Sequence, residues 1–227
     1  ILASLLSNVK NNLRVLLLEA GNDMSSTLFT NVPVGYYHTQ MNPDYDWCYH
    51  TENIPGLGGR SLQYPRGKAL GGSSSVNGML WVRGQSNDYD EWSKELNDNN
   101  WSGKSCLPRF QELEKILRVG PSRCNMSTTD QGIRAFVEAS KELGVRCSDG
   151  NSSFDNLGAF NGAEQSQMQE DVGMLPVTIG PNGLRRSAST AFLTKEVRAR
   201  PNLEIKTGAT VHRLLFNETG TRCVGVS

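Results

Sequence analysis

Apolar positions along the chain follow two different periods. Residues 13–18 read Leu-Arg-Val-Leu-Leu-Leu, a run of strand length rich enough to be buried on both faces, and it ends in Glu19 and the turn glycine Gly21. The residues ahead of it have the spacing of an amphipathic helix over 2–10. A helix, a short loop, a buried strand and a terminal acid together make the second half of a βαβ unit. Helical spacing returns at 88–96, 105–117 and 130–144, with Asp88 and Ser105 as expected caps of the first two. In the third, Ile133, Phe136, Val137, Ala139 and Leu143 share a face, and Gly144 is the expected stop. Residues 22–63 carry Pro33, Gly35, Pro43, Pro55 and Gly56, which predicts a long excursion with short strands and no regular helix. The stretch 146–183 is polar, with strand fragments such as 174–179. Residues 185–193 lead into a short helix, and 203–207 and 210–216 read as strands about a Gly208 turn. The pattern predicts an α/β fold whose parallel or mixed sheet contains residues 13–19.

Residues 64–84 fit neither period. Gly67, Gly71 and Gly72 remove side-chain bulk, while exposed N–H groups and the hydroxyls of Ser73, Ser74 and Ser75 supply donors. Such a loop suits a diphosphate and a flat ring system, and an ordinary glycine-rich connection with incidental serines has the same composition. Glu19 is open to two readings as well. An acid at the end of the second strand holds ribose hydroxyls in dinucleotide-binding folds, and core strands also end in solvated acids. The G-x-G-x-x-G turn that accompanies the first reading would lie just ahead of Ile1.

Composition narrows the partners. Lys plus Arg equals Asp plus Glu, 23 each, so the formal net charge is zero, which argues against a general nucleic-acid or anionic-membrane binder. No apolar run approaches the ~20 residues of a bilayer span, so the chain is expected to be soluble. Cys48, Cys106, Cys124, Cys147 and Cys223 lack metal-ligand spacing and read mostly as free thiols. Sequons at Asn100, Asn125, Asn151 and Asn217 leave secretion open without establishing it. Both ends of the sequence look cut, so a fragment of a longer protein is expected, with oligomeric state and compartment undetermined.

The segment Gly67-Lys68-Ala69-Leu70-Gly71-Gly72-Ser73-Ser74-Ser75-Val76-Asn77, ending near Asp90, resembles the first signature of the glucose–methanol–choline (GMC) flavoprotein oxidoreductases. The likeness extends upstream through 44–67 and downstream through 83–92, and 16–21 and 183–216 sit in the family's order. The resemblance implies an incomplete FAD-binding, Rossmann-like domain interleaved with the start of an α+β substrate domain. Residues 1–118 and 198–227 would belong to the former and 119–197 to the latter. It also implies roles. Glu19 would bind the adenosine ribose, and Arg66, Gly67, Gly71 and Gly72 would line the diphosphate and flavin. Ser75, Asn77 and Gly78 would lie close to the isoalloxazine, and Val211 would meet the adenine through its backbone. Some family members tether the flavin through a His where this chain has Val76, so a non-covalent FAD is expected. The implied activity is FAD-dependent oxidation of a small-molecule alcohol by hydride transfer in the full-length protein, with the fragment inactive by itself. A flavin-retaining lyase or cyclase, or a non-functional truncated product, are the alternatives. The family's catalytic His pair falls beyond this sequence. His38, His50 and His212 lie outside the matching context, so no catalytic residue and no metal ligand is named.

Overall fold

The computed structural model describes residues 1–8, 10, 12–84, 86–121, 131–147, 171–172 and 176–227. Cys124, the sequons at Asn125 and Asn151, the Asp130 start of the third helix and residues 174–175 of the strand fragment lie outside the described residues. In chain order the elements are α1 (Leu2–Leu6), β1 (Val15–Leu18), α2 (Leu28–Asn31), α3 (Tyr36–Thr39), β2 (Tyr49–His50) and β3 (Gln63–Tyr64). Then follow α4 (Ser86–Leu96), α5 (Gly103–Leu117), β4 (Gly120–Pro121), α6 (Gln131–Glu142), β5 (Arg146–Cys147), β6 (Asp171–Val172) and β7 (Pro176–Val177). The last are α7 (Ala188–Phe192), α8 (Lys195–Arg198), β8 (Leu203–Lys206), β9 (Leu214–Phe216) and β10 (Cys223–Val226). They form two compact units, residues 1–78 with 183–227, and residues 79–182. The divisions fall at 78/79 and 182/183.

The first unit is built on one parallel pair. β1 runs beside β8 in the register Val15↔Leu203 to Leu18↔Lys206, which is the sheet expected for residues 13–19. Ala3, Leu70, Leu193, Val197 and Leu203 form its buried cluster, with Val15, Leu17 and Ile205 packed against it. Period-two alternation sends Leu16 the other way, and it is 51% exposed. β1 thus buries one face against this cluster, where the sequence suggested two. The expected helix over 2–10 is shorter, and tertiary hydrogen bonds explain why. Arg200 Nη1 donates to the Ser4 carbonyl, and Asn202 Nδ2 donates to the Ser7 and Leu13 carbonyls. These side chains satisfy the helix's last carbonyls, so the chain is free to turn toward β1. Gly208 makes the expected turn (φ +66°). The strand after it begins only at Leu214, because Gly208 N–H and Ala209 N–H donate to the carbonyls of Gly21 and Glu19. β9 then pairs antiparallel with β10. The excursion over 22–63 contains the β2–β3 pair and, beyond expectation, the short helices α2 and α3.

In the second unit, α5 is capped by Ser102, whose Oγ accepts from Ser105 N–H at 3.3 Å. The helix thus starts two residues before Ser105, the cap expected from sequence. α4 (Ser86–Leu96) has Asp88 in its first turn, where a carboxylate favours the helix dipole. Gly103 packs so closely that a Cβ would overlap Ser86 Oγ. Buried Arg83 meets Glu114 through Nε and Nη2, and Trp81 Nε1 donates to the same carboxylate at 2.8 Å. Gly144 lies just past the end of α6 with φ +75°. Among the described residues, no helix is long and apolar enough to cross a membrane.

Candidate functional site

The nine residues singled out from sequence all fall in the first unit. Gly21 is the hinge of this arrangement. A Cβ there would overlap the Lys68 carbonyl, so β1 can deliver its C-terminal loop onto the 67–70 backbone only through a glycine. Asn22 bridges Ala69 in parallel fashion, and Leu70 N–H donates to the Asn22 carbonyl at 3.0 Å. Leu70 then enters the core, which anchors the turn that follows. From the other side, buried Asp46 accepts from Arg66 N–H (2.9 Å), Cys48 N–H (2.8 Å) and Met41 N–H (3.0 Å). Three backbone donors compensate a carboxylate that is only 1% exposed.

The turn itself has two faces. On its inner face the glycines make room for the protein's own backbone: a Cβ at Gly67 would overlap the Gly72 carbonyl, and one at Gly71 would lie 2.6 Å from Ser75 Oγ. On the outer face, a Cβ at Gly72 or Gly78 would, among the described residues and apart from its chain neighbours, have no atom within 4 Å. Gly71 (φ +99°) and Gly72 (φ +57°) are consecutive left-handed residues, and Gly72 N–H donates to the Ala69 carbonyl at 2.7 Å, which closes the turn on itself. The serine hydroxyls brace this shape. Ser73 Oγ accepts from Gly67 N–H, Ser74 Oγ donates to the Gly71 carbonyl and accepts from Ala188 N–H, and Ser75 Oγ donates to the Leu70 carbonyl. Ser75 is buried, while Asn77 and Gly78 are exposed.

Glu19 is half-buried. Its Oε1 accepts from Gly21 N–H at 2.8 Å, which fixes the carboxylate beside Gly21. Arg66 is exposed, with its guanidinium 3.8 Å over the Tyr64 ring. Val211 is 42% exposed and lies two residues beyond Ala209, which is bonded to the Glu19 carbonyl. Val76 is 2% exposed and offers no nucleophilic atom.

Sequence reasoning missed Asp46 and Arg185, both buried polar residues that shape the turn. Arg185 Nη1 donates to the carbonyls of Ser74 and Asn77 and to Asn77 Oδ1. No local signal points to it, since its partners in the turn lie more than a hundred residues away in sequence (111 and 108). The histidines do not gather. His38 tilts against Phe29 at 5.0 Å, His50 lies in β2, and His212 N–H donates to the Ser227 carbonyl. Among the described residues no cluster of His, Cys, Asp and Glu could hold a metal ion, and Cys48, Cys106 and Cys223 are free thiols.

Known proteins resemble this chain along nearly its whole length. The sequence model of the GMC oxidoreductase family matches residues 13–227. The oxygen-dependent choline dehydrogenase of Burkholderia thailandensis is 36% identical over 221 residues, spanning 94% of this chain and 37% of that protein. That of Burkholderia ambifaria is 35% identical over 224 residues, spanning 95% and 37%. The crystal structure of pyridoxine 4-oxidase from Mesorbium loti superposes with a TM-score of 0.76 at 28% identity, covering 98% of this chain and 43% of that one. A formate oxidase structure shares the fold with a TM-score of 0.70 at 21% identity, covering 99% and 39%. The chain therefore spans somewhat over a third of the length of the relatives it matches.

Proposed function

Because the chain belongs to the GMC oxidoreductase family, we propose that its first unit holds FAD in a protein that oxidises the CH–OH group of a small-molecule alcohol. The observation that carries this reading is the two-faced turn at 67–78. Its inner face is locked to β1 and the core, while its outer face is bare backbone at Gly72 and Gly78. Bare backbone held rigidly is what a diphosphate and a flat ring require for close approach.

The residues divide the work by their chemistry. Glu19 Oε2 accepts from ribose hydroxyls, a charge-assisted contact. The paired left-handed glycines, which carry no side chains, let the diphosphate approach the backbone closely, and Arg66 adds a cation at the same end. Ser75 fixes the turn from beneath, and exposed Asn77 and Gly78 present the segment that meets the ring. Val211 belongs to the segment that crosses β1 near Glu19 and would receive the adenine through its backbone. Val76 has no group to form a tether, so the cofactor is held non-covalently. When bound, FAD supplies the ring that accepts a hydride from the alcohol carbon. The assignment of 1–118 and 198–227 to a cofactor domain and of 119–197 to the start of a substrate domain is part of the same proposal. Choline and pyridoxine, named for two of the relatives, mark the range of CH–OH donors to try first.

The test uses the complete protein that carries this sequence, purified with excess FAD and challenged anaerobically with choline, pyridoxine and other primary alcohols. Bound-flavin absorbance that bleaches with at least one donor is the expected result, and Glu19→Ala should weaken FAD retention by about 1.5–3 kcal/mol. A protein that retains no FAD would overturn the reading.

A further inference from the structure

The guanidinium of Arg185 is a buried charge that the fold by itself does not explain. Arg185 is 3% exposed. Each of its partners is neutral: Nε donates to the Thr30 carbonyl at 2.8 Å, and Nη1 donates to the carbonyls of Ser74 (3.2 Å) and Asn77 (2.7 Å) and to Asn77 Oδ1 (2.8 Å). Among the described residues Nη2 has no hydrogen-bond partner and no carboxylate pairs with the group. Burial lowers its pKa to about 10, so it remains a cation at neutral pH. A buried cation with no counter-charge is costly, and an apolar side chain or an added carboxylate would serve stability better. A guanidinium has donors and no acceptor, so it also obliges the Asn77 carboxamide to turn its oxygen inward.

We propose that Arg185 is an electrostatic positioning residue, an uncompensated positive charge behind residues 74–77 that favours the anionic, two-electron-reduced flavin over the neutral oxidised ring. The inference rests on the reading of 67–78 as the flavin-binding turn. Uptake of two electrons and one proton leaves the ring with one negative charge. A fixed cation at low dielectric stabilises that state and leaves the neutral one nearly unaffected. A cation serving the diphosphate instead would strengthen both oxidation states alike, because the diphosphate charge does not change on reduction. The double contact with Asn77, in the segment assigned to the ring, favours the first role.

The experiment is a potentiometric titration of the complete FAD-loaded protein with dithionite, alongside the dissociation constant of oxidised FAD. Arg185→Met removes the charge, and Arg185→Lys keeps it while losing most of the hydrogen bonds. Arg185→Met should lower the midpoint potential by about 30 mV or more, a roughly tenfold fall in the ratio of reduced to oxidised affinity for a two-electron couple. Arg185→Lys should stay within about 10 mV of wild type, less than a threefold change in that ratio. An unchanged potential in Arg185→Met, whatever happens to oxidised FAD affinity, assigns Arg185 to structure or to the diphosphate and overturns the proposal. A fall in Arg185→Lys of the size expected for Arg185→Met also overturns it, because geometry and not charge would then be responsible. If Arg185→Met does not fold, Arg185→Lys decides by that same criterion. A wild-type protein without bound FAD refutes the flavin reading and this inference with it. A flavin-loaded wild type whose potential ignores Arg185 refutes the inference alone.

Discussion

Arg83 and Arg185 are buried to a similar degree, 9% and 3% exposed, and their surroundings treat the charge in opposite ways. In the second unit, Arg83 meets both oxygens of Glu114, with Nη2 to Oε2 at 2.6 Å, and Trp81 completes the carboxylate's shell. In the first unit, Arg185 has, among the described residues, only carbonyl and carboxamide oxygens as hydrogen-bond partners. The first arrangement neutralises its charge locally and staples α5 to the segment ahead of α4. The second leaves its field directed at the glycine-serine turn over residues 74–77. Similar burial with different compensation separates a group that stabilises from one retained for what it does to a ligand.

The largest expected effect comes from making Arg83 resemble Arg185. Glu114→Ala strands a buried guanidinium and should cost about 3–5 kcal/mol by urea denaturation, whereas replacing both partners by apolar residues of similar volume should cost far less. A loss below about 1 kcal/mol in Glu114→Ala would mean that water or neutral oxygens suffice there, and the contrast with Arg185 would collapse.

The smallest effect belongs to a third arginine. Arg198 pairs with Asp23, but the two side chains are 29% and 33% exposed. Asp23→Asn should therefore cost only ~0.2–1 kcal/mol. Burial pulls the Asp23 pKa upward, but hydrogen bonds from Ser25 and Arg198 outweigh it and hold the carboxyl below its ordinary value. A depressed carboxyl pKa stabilises the fold above the unfolded value, about 3.9, and the contribution fades as pH falls through the lower folded value. The stability gap between wild type and Asp23→Asn, followed by denaturation from pH 7 to pH 2, should shrink only below that point. A constant gap across this range would remove the pair as its cause.

What the sequence revealed follows from how local each cause is. The strand at 15–18 is legible because its aliphatic run carries its own period. α7 is legible because Ser187 caps it, accepting from Thr190 N–H three residues on. The α5 cap was misplaced by three residues because Ser102 and Ser105 are both reasonable caps and share one hydrogen-bonded turn. The end of α1 was illegible because the side chains that terminate it, Arg200 and Asn202, arrive from the approach to β8. The glycine-serine turn announced itself by composition. Which of its glycines serve packing and which leave open space did not, because the answer depends on β1 meeting residues 68–69 and on Gly67 meeting Gly72. Arg185 is the extreme case, invisible until two distant segments, at 30–31 and 74–77, surround it.

Gly78 offers the most direct test of the central claim that the outer face of the turn is reserved for FAD. It has ordinary backbone geometry, and among the described residues, apart from its chain neighbours, no atom lies within 4 Å of a Cβ placed there. On the proposed reading, a side chain at this position meets the cofactor in the loaded protein. The measurement is the FAD dissociation constant of Gly78→Val in the complete protein, read by flavin fluorescence beside the denaturation midpoint without FAD. The account predicts at least a tenfold loss of FAD affinity, a penalty of about 1.4 kcal/mol or more, with cofactor-free stability within about 0.5 kcal/mol of wild type. Unchanged FAD affinity in Gly78→Val would contradict it.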